Sequence, residues 1–215
     1  MGIDEAGRGS VLGPLVVGGF CCPEDRLDAL RATGARDSKQ LTARRREEVY
    51  ARLPDIGACR SVARNPRTID RYVARGGLNE LELEAFATLV RACRADVAYV
   101  DACDPDAERF GRRLAELSGG STRIVSRHKA DRDFLVVGAA SVVAKVRRDA
   151  ALVELSRTSG EVVGSGYPAD PETQKCVVRH AREGGTVPSW MRRSWETVQR
   201  VKREHPARTL DRYGP

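Results

Sequence analysis

Two adjacent carboxylates, Asp4 and Glu5, follow a short apolar lead near the start of the chain. Gly7, Arg8 and Gly9 come directly after them. Because burying an unpaired carboxylate costs several kcal/mol, a buried pair requires a cation or hydrogen-bond donors. Glycine lets a ligand approach the backbone closely, and successive backbone N–H groups can surround an anion. The segment is therefore a candidate ligand site, although a strand end followed by a polar turn explains it equally well.

Two further acids occupy positions where an α/β protein exposes functional residues. Asp101 follows the apolar run at residues 97–100, and Asp131 precedes a long segment rich in small residues. In open α/β sheets, ligands bind beyond the carboxyl ends of the strands. Carboxylates gathered in one pocket stay ionised only beside cations, and their oxygens suit hard divalent ions such as Mg²⁺ or Mn²⁺. Two such ions about 4 Å apart assist phosphodiester hydrolysis, so Asp4, Glu5, Asp101 and Asp131 are candidate ligands of such a centre.

The later acids also have structural interpretations. Asp101 could cap the helix that follows it, although Asp104 is better placed for that role. Asp131 could pair with a neighbouring basic residue at the surface, which is the commoner fate of an isolated Asp, and Asp133 competes for its role. Spacing along the chain does not establish whether the four acids converge.

The elements that would position these residues alternate between strand and helix. Apolar patterns predict strands at residues 3–5, 12–22, 55–62, 97–100 and 122–126, the first two paired with each other. Helices are predicted at residues 43–53, 79–94, 136–156 and 190–204, and two more begin at Asp104 and Asp170. Thr42 is the predicted cap of the first helix, while Asn79 and Glu82 match a capping box. The order is typical of a mixed central α/β sheet flanked by helices, with a helical C-terminal extension.

Composition indicates one large domain with a nucleic-acid partner. The 215 residues carry a net charge of +7, and the last 38 hold nine Lys/Arg against four Asp/Glu. None of the six cysteines forms a CxxC pair or a zinc-type spacing, so we expect reduced thiols in a cytoplasmic protein. The first apolar run is broken by glycines and a proline, so we expect neither a signal peptide nor a membrane span.

Six motifs occur in one order along the chain: GIDEAGRG, DSKQLT, YVDACDP, HKAD, VVGAASVVAKVRRD and GSGYPADP. Together they resemble the ribonuclease HII (type 2 ribonuclease H) family over residues 2–175, and HKAD resembles the archaeal members. The resemblance implies a ribonuclease H-like catalytic domain at residues 1–156. It also implies a helical region at residues 157–215 that completes the substrate site and binds duplex.

The resemblance further implies an activity and roles for single residues. The activity is metal-dependent cleavage of RNA in RNA–DNA hybrids and incision 5′ of single ribonucleotides in duplex DNA, leaving 3′-OH and 5′-phosphate ends. The four acids match the family's ligands for two divalent ions, Mg²⁺ or Mn²⁺. The Gly7–Gly9 segment matches the one that reads the ribose, and Tyr167 matches the tyrosine that stacks on the sugar at the RNA-to-DNA junction. Lys39, helped by the Ser38 hydroxyl, is a candidate phosphate contact.

The chain departs from the family pattern in places. Ser10 stands where proline is common after GRG, and Gly138 stands where serine is common before AAS. The terminal RTLDRYGP resembles a sliding-clamp-binding peptide only in Leu210 and Tyr213, so we expect at most a weak clamp contact. We expect a monomer whose candidate contacts to the duplex backbone are Arg192, Arg193, Arg200, Lys202 and Arg203.

Two other functions stay open. A nucleic-acid-binding protein that does not cleave would be expected to lack one of the four acids, and all four are present. A related nuclease, such as the type HIII enzyme or a junction resolvase, would differ in specificity. Because the HIII enzyme usually carries an extra N-terminal domain and this chain begins at the catalytic strand, we expect the HII specificity.

Overall fold

A five-stranded mixed sheet lies at the centre of the structure. The computed structural model describes residues 1–35, 41–182 and 187–204. The strands are β1 Gly2–Ala6, β2 Leu15–Cys21, β3 Ala58–Arg64, β4 Val97–Asp101 and β5 Arg123–Arg127. Their order is β3-β2-β1-β4-β5, with antiparallel pairing among β1, β2 and β3 and parallel pairing among β1, β4 and β5. The carboxyl ends of the three parallel strands therefore meet at one edge of the sheet.

Helices cover both faces of this sheet. The described helices are α1 Leu27–Arg31, α2 Ala43–Arg52, α3 Pro66–Val73, α4 Leu78–Cys93, α5 Ala107–Ser118, α6 Ala130–Asp133, α7 Leu135–Ser159, α8 Pro171–Arg182 and α9 Glu196–Glu204. On one face α4 and α5 pack against Ile3 and Val17, with Phe86 and Phe110 meeting edge to face. On the other face, α1, α2 and α7 pack around Phe20. The predicted mixed sheet flanked by helices is confirmed.

Helix α7 crosses β1 and β2 closely enough to exclude a side chain between them. A Cβ atom on Gly18 would lie 2.4 Å from the Ala140 carbonyl oxygen and 2.6 Å from the Ala144 nitrogen. The small residues in the first half of α7 permit this approach, as their composition predicted. Because the contact fixes α7 on the sheet, the next turns of the helix bring Lys145 and Arg148 beside the carboxyl edge.

The C-terminal helices attach to the body through a short segment before α9. Leu12 forms an isolated β-bridge with Met191, and the Asp70 carboxylate of α3 accepts hydrogen bonds from the Ser194 nitrogen at 3.0 Å and hydroxyl at 2.6 Å. Helices α8 and α9 also share an apolar cluster with Val11, Leu12 and α7. The helical extension is thus part of the fold, while the division of the chain at residue 156 stays a prediction.

Two predicted helix starts are wrong, because side chains that look like caps bind elsewhere. Helix α4 has Gly77 at its N-cap position, so Asn79 and Glu82 lie inside the helix and form no capping box. Helix α5 begins at Ala107, and its cap is Asp106, whose carboxylate accepts from the Arg109 nitrogen at 2.9 Å. The predicted start, which has Asp104 at the cap position, is therefore two residues early. Thr42 does cap α2, as predicted.

Other boundaries shift by a few residues. Strand β2 begins at Leu15, β3 ends at Arg64, and α9 begins at Glu196, since the residues before it make the docking turn. Helix α3, capped by Asn65, was not predicted.

All six cysteines are free thiols, as predicted. Within residues 1–35, 41–182 and 187–204, no helix has the length and apolar character needed to cross a bilayer.

Candidate active site

Three of the predicted acids converge at the carboxyl edge of the sheet. Asp4 comes from β1, Asp101 ends β4, and Asp131 lies in α6 just after β5. One carboxylate oxygen from each lies within 4.8 Å of the others. Asp4 and Asp131 are only 5% and 3% exposed, so the surface position considered for Asp131 is wrong. The competing Asp133 is exposed.

Glu5 lies next to this group, on the other side of the strand. Successive residues of a strand point to opposite faces, and Asp4 stands opposite Gly18, which faces α7. Glu5 therefore points towards the α4 face. Burial, the charge and hydrogen bonding of Asp4, and the charge of Asp101 together raise the pKa of Glu5 to about 8. Glu5 thus interacts with the cluster electrostatically without joining its mutually close oxygens.

A strained turn brings Asp131 to Asp101. Lys129 has φ +58°, a left-handed conformation that costs a non-glycine residue on the order of 1 kcal/mol. Its backbone nitrogen donates to Asp101 Oδ1 at 2.8 Å. His128, in the same turn, has its ring nitrogens 3.3 and 3.2 Å from the carbonyl oxygens of Ala102 and Pro105, a structural role. The turn therefore links the ends of β4 and β5 and presents Asp131 to the cluster.

The electrostatics of the cluster fit a divalent cation. Burial and the charges of Asp4 and Asp131 raise the pKa of Asp101 to about 6, against the opposing effect of two backbone N–H groups. The charges of Asp4 and Asp131 thus raise the cost of ionising Asp101, and a cation between the three carboxylates would remove that cost. Three convergent carboxylate oxygens are the ligands that Mg²⁺ and Mn²⁺ prefer. Asp4, Asp101 and Asp131 could therefore hold a metal, with Glu5 at its margin.

The glycine-rich turn forms the neighbouring wall of the same cleft. Gly7 has φ +87°, and a Cβ atom there would lie 2.6 Å from Arg148 Nε, so this position requires glycine. The Gly7 nitrogen donates to the Tyr167 hydroxyl at 3.2 Å. Tyr167 is 38% exposed and lines, with Asp4 and Asp101, a cleft of about 760 Å³. The candidate metal ligands Asp4 and Asp101 and the predicted ribose-reading residues therefore share one cavity.

The Arg8 side chain is held by partners that the sequence did not reveal. Its guanidinium forms an ion pair with Glu82, which is 0% exposed, and donates to Asn79 Oδ1 at 2.7 Å. Asn79 in turn donates to Asp104 Oδ2 at 3.1 Å. The sequence feature that could have indicated this ion pair was the position of Glu82, next to Leu81 on the apolar face of α4. A charged residue there needs a buried partner.

Two buried arginines contact the Gly7–Gly9 turn from the protein interior. Arg148 is 4% exposed and lies between the turn and Tyr167. Arg192 is 0% exposed, donates to the Arg8 carbonyl oxygen at 2.9 Å and stacks on Trp195. The prediction that Arg192 contacts the duplex backbone is therefore wrong.

Ser38, Lys39 and the terminal TLDRY segment lie outside the described residues.

A second cluster has the composition of a metal site but not its electrostatics. The ligand atoms of Glu161, Cys176 and His180 lie within 4.8 Å of one another. Glu161 already pairs with Arg179 at 2.6 Å and with His180 at 3.1 Å. Burial raises the pKa of the Cys176 thiol to about 11. Because Arg179 already balances the charge of Glu161, we interpret this cluster as an ion-pair network.

Comparison with known proteins identifies the family of this chain. The family model "Ribonuclease HII" matches residues 1–198. Ribonuclease HII of Methanocella arvoryzae is 44% identical over 202 residues, covering 94% of this chain and 90% of that protein. The ribonuclease H2 structure from Pyrococcus horikoshii OT3 has a TM-score of 0.86 at 37% identity and covers 95% of this chain and 97% of that chain.

A second solved structure is the PCNA:RNase HII complex from Archaeoglobus fulgidus, with a TM-score of 0.83 at 38% identity. The match covers 91% of this chain and 94% of that chain. These similarities confirm the predicted ribonuclease H-like fold and the archaeal character of the sequence. The chain therefore belongs to the ribonuclease HII family and is a ribonuclease H, a divalent-metal-dependent endoribonuclease acting on RNA–DNA hybrids.

Proposed function

We propose that this ribonuclease H incises duplex DNA on the 5′ side of a single embedded ribonucleotide and leaves 3′-OH and 5′-phosphate ends. The observation that carries the proposal is the shared cleft, in which Gly7 and Tyr167 lie beside the carboxylates of Asp4 and Asp101. A site that must cut next to one ribose needs its cutting and ribose-reading groups within one nucleotide of each other. The shared cleft supplies that proximity.

We assign two divalent ions to Asp4, Glu5, Asp101 and Asp131. Such ions lower the pKa of a bound water and stabilise the charge that develops on the leaving oxygen. The carboxylates themselves orient the ions and keep the cleft negative until they bind. Both Mg²⁺ and Mn²⁺ suit this all-oxygen set of ligands.

Ribose recognition falls to the backbone of the Gly7–Gly9 turn and to Tyr167. The 2′-OH is the group that distinguishes a ribonucleotide from its DNA neighbours. The Arg8 guanidinium is occupied by Glu82 and Asn79, so the turn offers backbone groups to the sugar. The exposed Tyr167 ring can stack on the sugar at the junction, and its position is set by the hydrogen bond from the Gly7 nitrogen.

Residues 157–215 would complete the substrate site and hold the duplex. Tyr167 belongs to this region, and Arg193, Arg200 and Arg203 are exposed on its last described segment. Phosphate contacts of this kind supply affinity without sequence preference. We assign the same role to Lys39, with Ser38 as hydroxyl donor, on the strength of the family motif DSKQLT.

A sliding clamp is a further proposed partner. The similar Archaeoglobus fulgidus protein was solved as a PCNA complex, and the terminal segment of this chain carries Leu210 and Tyr213. We expect the full chain, but not a variant ending at Pro206, to co-elute with an archaeal PCNA in size-exclusion chromatography. Equal elution of the two forms would remove the clamp from the proposal.

The decisive experiment is a nicking assay on duplex DNA that carries one ribonucleotide. Wild-type protein and Asp101→Asn are compared with Mg²⁺, with Mn²⁺ and with EDTA, and a long RNA–DNA hybrid serves as the second substrate. We expect a metal-dependent nick on the 5′ side of the ribonucleotide that Asp101→Asn loses. Cleavage of the hybrid alone would contradict the proposed specificity, and binding without any cleavage would contradict the proposed metal site.

A further inference from the structure

Arg148 is a buried cation wedged between the two ribose-reading segments. Its Nη2 atom donates to Ser10 Oγ at 3.0 Å and to the Ser165 carbonyl oxygen at 2.5 Å. Its guanidinium carbon lies 4.5 Å from the centre of the Tyr167 ring. The residue thus contacts the turn after β1 and the loop before α8 at the same time.

The same two segments are joined on either side of Arg148. The Val11 nitrogen donates to the Gly166 carbonyl oxygen at 2.8 Å, and the Ser10 hydroxyl lies 2.8 Å from the same oxygen. Gly7 packs on the Arg148 side chain so closely that a Cβ atom would lie 2.7 Å from Cδ. A displacement of the guanidinium would therefore move Gly7 and Tyr167 relative to each other.

The chemistry of the contact requires arginine rather than any cation. A guanidinium is planar and carries five donors in a fixed fork, so it can bond two loops and lie flat against an aromatic ring. A lysine ammonium is a point charge and cannot do all three at once. A cation buried to this degree costs free energy unless such contacts compensate it. Apart from a 3.4 Å pair with the neighbouring Asp149, the polar contacts of Arg148 are made to the turn after β1 and the loop before α8.

We propose that Arg148 is the positioning residue for ribonucleotide recognition, which sets the Tyr167 ring against the backbone of the Gly7–Gly9 turn. The inference rests on the proposed incision at single ribonucleotides and adds the residue that makes the recognition wall rigid. Arg148 acts through Tyr167. Ser10, where the family pattern commonly has proline, gives this chain an additional link between Arg148 and Gly166.

A double-mutant cycle tests the proposal. Arg148→Lys and Tyr167→Ala are made singly and together and assayed on the single-ribonucleotide duplex and on a long hybrid. Misplacing the reacting sugar by about 1 Å lowers kcat on the order of 100-fold, and we expect this loss for Arg148→Lys. KM should change less than about threefold, because phosphate contacts supply most of the affinity. In the Tyr167→Ala background, Arg148→Lys should lower kcat only slightly further.

Arg147→Lys is the matched control. Arg147 is the preceding residue of α7, is exposed, and lies over a different tyrosine, Tyr50, at 5.7 Å. Its substitution should leave kcat and KM unchanged on both substrates. Folding of every variant is checked by circular dichroism and by the increase in Tm that Mg²⁺ causes.

Full and equal losses from Arg148→Lys in the wild-type and Tyr167→Ala backgrounds would overturn the proposal, since a purely structural role predicts additivity. If Arg148→Lys fails to fold, Ser10→Ala takes its place in the cycle, with an expected loss of about fivefold for one hydrogen bond. If the wild type cuts the hybrid but not the single ribonucleotide, the proposed specificity is wrong. The cycle on the hybrid then still decides whether Arg148 acts through Tyr167.

Discussion

The two walls of the cleft are stabilised in opposite ways. On the carboxylate wall, burial and the charge of Asp4 raise the cost of ionising Glu5 and Asp101, as the upward pKa shifts of these two residues indicate. On the opposite wall, which we propose reads the ribose and call the ribose-reading wall, Tyr167 is joined to Gly7 by a hydrogen bond and to Arg148 by a cation–π contact. The carboxylate wall is thus electrostatically incomplete until cations bind, whereas the ribose-reading wall is complete once the chain folds.

This difference follows from what each wall must recognise. A metal ion brings its own charge, so a site with excess negative charge binds it more strongly. A 2′-OH brings only one donor and one acceptor, so its recognition depends on groups that are already fixed in place. The four predictions below test whether the two walls are in fact separate in chemistry, stability and ion dependence.

The largest expected effect is the loss of activity in Asp4→Asn. Removing one buried ligand charge removes several kcal/mol of transition-state stabilisation, so kcat should fall on the order of 1,000-fold or more. Binding of the single-ribonucleotide duplex, measured by fluorescence anisotropy, should change far less because the ribose-reading wall is intact. Asp133→Asn, at the exposed last residue of α6, is the control and should keep full activity. Equal losses of binding and turnover in Asp4→Asn would mean that the walls are not separate.

Breaking the buried anchor of Arg8 should give the largest loss of stability. Glu82→Gln leaves the Arg8 cation without its buried counter-charge, and we expect the free energy of unfolding to fall by about 2 kcal/mol. Glu80→Gln, in the same helix, removes the exposed pair with Arg113 and should cost less than about 1 kcal/mol. Urea denaturation at constant pH measures both. Similar values for the two variants would show that the Arg8–Glu82 pair adds nothing beyond a surface pair.

The sequence predicted the carboxylate wall better than the ribose-reading wall. Asp4 and Asp101 follow apolar strands, and the edge where parallel strands end is a predictable place for ligands. The family motif selects Asp131 over Asp133, but spacing alone does not, because that choice depends on the left-handed turn at Lys129. Nothing in a lysine indicates that conformation, which is enforced by the contact with Asp101.

The supports of the ribose-reading wall depend on distant partners that local patterns do not encode. Asn79 and Glu82 have the spacing of a capping box, yet they bind Arg8, which lies 71 residues before Asn79 in the chain. Arg192 belongs to a basic stretch that resembles a solvated surface, but it is buried under the same turn. In both cases the interpretation from local sequence was wrong because the side chain binds a partner that is distant in the chain. The family motif located Tyr167, and the structure supplied the arginine beneath it.

Ion binding should stabilise the carboxylate wall in a pH-dependent way. The folded-state pKa of Glu5, about 8, lies above its ordinary value of 4.5. The stability it contributes is therefore present below pH 4.5 and is lost as the pH rises through 8. In EDTA, Tm should accordingly fall from pH 6 to pH 8. With Mg²⁺ at about ten times its Kd, stabilisation of about 1.4 kcal/mol should raise Tm by roughly 3–6 °C.

The increase caused by Mg²⁺ should be larger at pH 8 than at pH 6, because protons compete with the ion for the carboxylates. Differential scanning calorimetry in Mg²⁺ and in EDTA at the two pH values measures this. Asp4→Asn should show little response to Mg²⁺ at either pH. A response of the same size at both pH values would contradict the assignment of the raised pKa values to the metal-binding wall.

The smallest expected effect is that of Tyr167→Phe, which removes only the acceptor of the Gly7 N–H. One such bond at a partly exposed site is worth about 0.5–1 kcal/mol of unfolding free energy. Tyr72→Phe, which removes a hydroxyl that donates to Glu84 at 2.9 Å outside the cleft, should lower the unfolding free energy by a similar amount.

The two variants should differ in chemistry, since only Tyr167→Phe should reduce the preference for a single ribonucleotide over the all-DNA duplex. The Mg²⁺-induced increase in Tm should be unchanged in both, because the hydroxyl belongs to a wall that is complete without ions. A smaller Mg²⁺ response in Tyr167→Phe would instead mean that the ribose-reading wall helps to position the carboxylates, and the two walls would have to be treated as one unit.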